Sequence, residues 1–231
     1  MKFLKRTVTA IIAVVIFASL SSITAFADED PAKKTKSPSE YKYAVPEGLP
    51  EVDLESWEFR LANTWNSIGL YDAKVSGVFG TGIDTRVAEQ MTAFVNDSYA
   101  AGHLIQVAGG NSSWLYWTSI VFPEKVNEYG SAREACKHVL ACGCDEHQTG
   151  LAFDVEGDDD DAINYMKEHC TEYGFIYRYP ADKAEYYGVA CEKPHFRYVG
   201  TAAAKYISDN NLCFEEFLQL YGYPVKIGTL D

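Results

Sequence analysis

Apolar residues recur at helical spacing between Asp84 and Ala101, where Val87, Met91, Phe94 and Val95 share one face. Thr81-Gly82 supplies turn chemistry ahead of this run and Gly102 closes it, which predicts a helix with one buried face. Leu104 to Val107 reads as a short strand broken by Gly109-Gly110-Asn111. Further along, the pattern predicts a helix over Ser131 to Ala141, a strand over Leu151 to Val155 and a helix over Ala162 to Tyr173 closed by Gly174. Strands follow over Phe175 to Arg178 and His195 to Val199, and helices over Thr201 to Ser208 and Phe214 to Leu220. Helices and short strands alternate without regular βαβ spacing, so the expected fold class is α+β, a small central antiparallel sheet flanked by helices.

The N-terminus carries a different pattern. Lys2, Lys5 and Arg6 precede an apolar run from Val8 to Leu20, and Ala25-Phe26-Ala27 offers the small residues that a signal peptidase requires. Residues 1–27 are therefore expected to be a secretory signal peptide. The apolar run is shorter than the roughly 20 residues that span a bilayer, so no stable membrane insertion is expected after cleavage. A secreted or extracytoplasmic, wall-associated location follows. Residues 28–55, rich in Lys, Pro, Ser, Asp and Glu, read as a flexible linker. Residues 56–231 read as one folded domain, large enough for its own core.

Charge narrows the partners. The chain has 33 acidic and 20 basic residues, a formal net charge of −13. Without residues 1–27, which hold three basic groups and no acid, 17 basic groups face 33 acidic ones, or −16. Such a surface repels polyanions and disfavours nucleic acid. An aliphatic and aromatic content of 47% apolar residues excludes a disordered chain.

Two clusters carry candidate chemistry. In Asp145-Glu146-His147-Gln148-Thr149-Gly150-Leu151-Ala152-Phe153-Asp154, an extended Gly150 to Val155 places Gly150, Ala152 and Asp154 on one face, and the preceding loop can return His147 beside Asp154. In Glu192-Lys193-Pro194-His195, Pro194 cannot donate to a ladder, so the strand starts at His195, and the turn before it can place Glu192 on the same side. His147, Asp154 and His195 make a three-ligand set with an open fourth position, the arrangement of catalytic rather than structural zinc. Glu192 is the adjacent carboxylate suited to general-base work. Taken singly, each histidine also fits an ordinary core or surface group, and spacing alone leaves both readings open.

The segments His147-x2-Gly-x-Ala-x-Asp154 and Tyr173-Gly-Phe-Ile-Tyr-Arg-Tyr-Pro180, then Lys183 and Glu192-x2-His-Phe-Arg-Tyr-Val-Gly200, resemble the VanY-type D-alanyl-D-alanine carboxypeptidases. These zinc peptidases are related to lysostaphin-type endopeptidases and to the hedgehog domain. The similarity runs in order from about Asp84 to Leu220, including Asp84-x-Arg86, Ala132-Arg133 and Glu215-Glu216-Phe217-Leu218. The resemblance implies a hedgehog/D-Ala-D-Ala-metallopeptidase-like fold, zinc held by His147, Asp154 and His195, Glu192 as base, and a peptidoglycan stem peptide as substrate. It also implies substrate-side roles for the positions of Asn111, Ser112 and Asp145. Here the chain departs from the family: Asn111 stands where the family's substrate-binding Arg is usual, and Asp145 where Ser or Thr is usual. Two alternatives keep the same fold: an endopeptidase cutting within the stem or cross-bridge, and a non-catalytic descendant that binds wall fragments or a protein.

The six cysteines, Cys136, Cys142, Cys144, Cys170, Cys191 and Cys213, form an even set in a chain expected to be exported, so disulfides are the expectation. Pairing of Cys142 or Cys144 with Cys191 would tie the two metal-bearing loops together. Trp114, Tyr116 and Trp117 read as core packing, with an aromatic substrate wall as the alternative. The oligomeric state is not readable from the sequence.

Overall fold

The computed structural model describes residues 46–157, 159–189 and 193–228. The expected signal peptide and most of the expected linker lie outside the described residues, as do Cys191 and Glu192. The described residues open with Leu49, Val52 and Leu54 already packed against apolar side chains of the core.

A two-stranded hairpin comes first, β1 (Val75–Val78) paired antiparallel with β2 (Thr81–Asp84). Its tip, Phe79-Gly80, has φ of 48° and 81°, the left-handed pair that matches the twist of the flanking strands. Helix α1 (Ala88–Ala100) follows. The central sheet is built from β3 (Ile105–Gly109), β4 (Ala152–Gly157), β5 (Phe175–Tyr177) and β6 (His195–Tyr198), in the spatial order β3-β4-β6-β5 with antiparallel neighbours throughout. Between β3 and β4 runs a helical stretch of Trp114–Tyr116, a π-turn Trp117–Val121 and α2 (Phe122–Tyr129). Helix α3 (Asp160–His169) leaves β4, and α4 (Thr201–Asp209) and α5 (Phe214–Leu220) close the chain. The α+β class read from the sequence is the observed one.

Register divides the sheet into two faces. Phe153 pairs with Phe196, and Tyr177 with Phe196 on the other side of β6. Because side chains alternate, Phe153, Val155, Phe175 and Phe196 point one way and pack with Val87, Met91, Phe94 and Val95 of α1 and Ala162 and Met166 of α3. Phe94 is the hub, stacked on Phe175 at 5.6 Å and on Tyr173 at 5.3 Å, and edge-on to Phe196 at 5.4 Å. Ile176 packs on the opposite side in a second cluster with Phe59, Leu61, Ala204 and Ile207 of α4, and Phe214, Phe217 and Leu218 of α5.

That second layer also buries charge. Arg178 and Arg197 are fully buried, with guanidinium groups 5.3 Å and 5.0 Å from the Phe214 ring. Arg178 Nε donates to Glu146 Oε1 at 2.9 Å and its two terminal nitrogens donate to Glu215 at 2.9 and 2.6 Å. Arg197 Nη1 donates to Glu146 Oε1 at 2.7 Å and Nη2 to the carbonyls of Glu58 and Arg60. Asn63 Nδ2 donates to Glu215 Oε1 at 2.7 Å, tying in the N-terminal segment. Burial alone would push the Glu146 carboxyl up, but the two arginines and a hydrogen bond to His195 hold it well below the usual carboxylate range.

Several expectations are corrected. The helix expected over Ser131 to Ala141 is one turn, Ala132–Ala135. Gly150 is not in the strand; with φ of 70° it ends the preceding turn, and a Cβ there would lie 2.6 Å from the Ala73 Cβ. The aromatic run is not core, since Tyr116 is 54% exposed and Trp114 and Trp117 are half-buried. The expected disulfides are absent among the described residues: Cys136, Cys142, Cys144, Cys170 and Cys213 are all free. Cys170 is part of the core against α1, whereas Cys213 caps α5 on the other side of the sheet, so these two cannot meet. Burial pushes the Cys142, Cys144 and Cys170 thiols up to about 11 and Cys213 to about 12, which leaves them protonated and poor in disulfide exchange.

Phe94→Ala is expected to cost about 3–5 kcal/mol of stability, read from urea unfolding; a loss below about 1 kcal/mol would show that the aromatic hub does not carry this core. The depressed Glu146 carboxyl stabilises the fold above its unfolded value near 4.5, and this contribution is lost as pH falls below it. Melting temperature is therefore expected to drop steeply from about pH 5 to pH 3, and to drop less steeply in Glu146→Gln, which starts from a lower stability.

Candidate active site

The site forms where β4 and β6 run side by side. Asp154 and His195 are direct partners in the register, so both side chains stand on the same face, opposite to Phe153 and Phe196. His147 reaches them from the one-turn 3-10 helix Glu146–Thr149. Asp145 caps this turn, its Oδ1 accepting the His147 N–H at 3.0 Å, and Gly150 reverses the chain with its N–H on the His147 carbonyl. Gln148 Nε2 donates to the carbonyls of Gly69, at 2.7 Å, and Tyr71, which pins the turn from the far side.

The three side chains converge. His147 Nε2 lies 3.1 Å from Asp154 Oδ2, and His195 Nδ1 lies 2.7 Å from Asp154 Oδ1. The two imidazoles meet edge to face at 4.8 Å. Among the described residues these three form the group able to hold a metal ion, with ligand atoms all within 4.8 Å of one another. Two imidazole nitrogens and one carboxylate oxygen converging on one point fit zinc. Burial would raise the Asp154 pKa, but the hydrogen bonds and charges of His147 and His195 hold it well below the usual range, so it is an anionic ligand at neutral pH. His195 is 2% exposed, whereas the side chains of His147 and Asp154 are 14% and 10% exposed, so the site is reached from their side.

Gly109-Gly110 now has a physical reason. A bulge between Val107 and Gly109 sets Gly109 opposite Asp154, and a Cβ on Gly109 would lie 2.8 Å from Asp154 Oδ2. A Cβ on Gly110 would collide with Thr81 Oγ1 and the Gly82 carbonyl, so β2 closes over this stretch. Asn111 Nδ2 donates to the carbonyls of His147, at 3.0 Å, and Gln148, at 3.4 Å, placing its amide on the metal-bearing turn. Ser112 N–H also reaches the His147 carbonyl, and its Oγ is buried without a hydrogen-bond partner among the described residues. Glu192 lies outside the described residues. The chain resumes at Lys193, whose Nζ pairs with Glu156 Oε1 of β4 at 2.6 Å.

Sequence reasoning missed the groups behind the ligands. His195 Nε2 faces Glu146 Oε2 at 3.1 Å, and the Tyr179 ring lies 4.9 Å from the His195 ring. A signal was present: Arg178 directly follows the aromatic β5 and Arg197 lies between Phe196 and Tyr198 in β6, and a charge so placed must be paired to be tolerated.

The family model described as VanY, D-alanyl-D-alanine carboxypeptidase, matches residues 80–201, more than half of the chain. A D-alanyl-D-alanine carboxypeptidase of Enterococcus faecalis is 34% identical over 181 residues, covering 72% of this chain and 67% of the relative. Among solved structures, VanYB in complex with D-alanine-D-alanine is 33% identical with a TM-score of 0.63, covering 71% of this chain and 98% of the other. The VanY D,D-pentapeptidase of a VanB-type resistance cassette in complex with Zn(II) is 32% identical with a TM-score of 0.62, covering 71% and 99%. A further likeness is to the LD-carboxypeptidase LdcB, 26% identical with a TM-score of 0.59, covering 70% and 85%. With the matched segment spanning β2 to the start of α4 and enclosing the His147, Asp154 and His195 cluster, the chain belongs to the VanY family of zinc-dependent D-alanyl-D-alanine carboxypeptidases.

Proposed function

We propose that this protein removes the terminal D-alanine from peptidoglycan stem peptides outside the cytoplasmic membrane, with residues 1–27 as its export signal and a linker that runs from residue 28 and, shorter than the 28–55 expected, ends where Leu49 packs against the core. The observation that carries the reading is the convergence of His147, Asp154 and His195 on one accessible point, in a fold similar to that of VanYB with D-alanine-D-alanine bound.

Zinc at this point supplies Lewis acidity, polarising a carbonyl and making water nucleophilic at neutral pH. The protein's own groups do the rest. Glu192 takes a proton from the attacking water and delivers it to the leaving nitrogen as the C–N bond breaks; the second proton of that water passes to the same nitrogen, so the products are the new carboxylate and D-alanine with a protonated amine. The unpartnered Ser112 hydroxyl is suited to hydrogen-bond substrate beside the metal-bearing turn. Asp145 and Asn111 act one step back, by fixing that turn through its N–H and carbonyl groups.

One observation favours a second reading, cleavage within the stem or cross-bridge. The Asn111 amide is spent on two backbone carbonyls and carries no charge for a substrate carboxylate. A site without that charge depends less on a free C-terminal end.

Zinc-loaded protein incubated with a pentapeptide-bearing muropeptide is expected to release one D-alanine, seen by mass spectrometry, while Glu192→Gln keeps its zinc and loses about 10²-fold or more in turnover. A different fragment from wild type alone would move the scissile bond to the second reading. Absence of any product from folded, zinc-containing protein would remove the carboxypeptidase reading. Gly109→Ala pushes a methyl group against Asp154, so lower zinc occupancy than wild type is expected by elemental analysis after dialysis; full occupancy would show that the bulge can yield.

A further inference from the structure

We propose that Glu146 is a positioning residue for the metal centre: its carboxylate accepts the Nε2–H of His195 and so commits Nδ1 of that ring to the zinc. The inference rests on the zinc site described above and concerns a residue outside the ligand set.

His195 has two ring nitrogens with different surroundings. Nδ1 faces Asp154 Oδ1 at 2.7 Å, on the side where the three ligand atoms converge, and Nε2 faces Glu146 Oε2 at 3.1 Å, away from it. A histidine binds a metal through one unprotonated nitrogen, and the partner of the other nitrogen selects which one that is and holds the ring plane. His195 is 2% exposed, so water cannot take this role.

Glu146 is itself fixed in place. Its Oε1 receives Arg178 Nε and Arg197 Nη1, leaving Oε2 for His195. Arg178 is held in turn by a two-nitrogen contact to Glu215 of α5, and Glu215 by Asn63. Glu146 is also the residue before His147, so the turn that delivers one ligand sets the ring of the other. One carboxylate thereby couples the two histidines, which are 48 residues apart in sequence.

The relay separates a positioning role from a merely structural one. Glu215→Gln weakens the same buried arginine pairing without touching His195, whereas Glu146→Gln removes the charge that faces Nε2. With the full mature chain, chelator competition is expected to show zinc bound about 10- to 100-fold more weakly in Glu146→Gln, and within about 3-fold of wild type in Glu215→Gln. Equal losses in the two variants, or none in Glu146→Gln, would overturn the proposal. Wild type alone gives a second readout if Glu146→Gln does not fold. In zinc-loaded protein with ¹⁵N-labelled histidine, His195 is expected to show a metal-bound Nδ1 and a protonated, slowly exchanging Nε2–H. Ligation through Nε2 would overturn it. Wild type that binds no zinc would remove the zinc site itself, an outcome distinct from zinc bound equally well without Glu146.

Discussion

The pairing of β4 with β6 is the constraint on which the rest of the molecule depends. One register sets Asp154 against His195 on one face and Phe153 against Phe196 on the other. A slip of one residue would turn the metal ligands into the aromatic core and the phenylalanines into the site. Core packing and metal geometry are thus enforced together: the ring cluster around Phe94 stabilises the same alignment that holds the two ligands side by side. The β3 bulge adds the remaining condition, setting Gly109 where a side chain would strike Asp154.

A metal face in the middle of a protein creates an electrostatic problem that the second layer answers. Glu146 and Glu215 are buried with Arg178 and Arg197, and nearly every donor of both guanidiniums is directed at a carboxylate or a carbonyl. Such a group of charges is costly to bury and stabilises little in net terms, yet removing one member leaves the others uncompensated. Its effect here is to fix geometry. The N-terminal segment through Asn63, the turn through Glu146, the end of β5 through the adjoining Arg178, β6 through Arg197 and α5 through Glu215 become one connected support beneath His195.

How much of this was legible in the sequence differs by element. The helix under Phe94 and the strands at Phe175 and His195 were readable because period and burial coincide there. The ligand set was a candidate because Ala152 and Asp154 share one face of a strand and His147 precedes a glycine that can reverse the chain, and the resemblance to the family selected it over the plain core reading. The β1–β2 hairpin was missed because Val75 to Asp84 is half exposed and gives no clean alternation. The stretch from Trp114 to Tyr129 was missed because its large apolar residues lie partly outward, Leu115 and Tyr116 among them. Disulfides were expected from an even cysteine count, which says nothing about position: the thiols of Cys170 and Cys213 are held on different sides of the sheet.

The two departures from the family pattern differ in physical kind. Asp145 in place of Ser or Thr preserves the function of its position, since any of the three accepts the N–H two residues on and caps the turn that carries His147. Asn111 in place of Arg does not. A guanidinium offers charge and five donors, whereas the Asn111 amide offers two donors, and both are directed at the carbonyls of His147 and Gln148. The resemblance implies a charged substrate contact at this position; here the side chain instead ties the stretch after β3 to the metal-bearing turn. The three metal-holding side chains converge while the amide at position 111 is directed at the turn that carries His147, so the ligand geometry does not depend on a charge at that position.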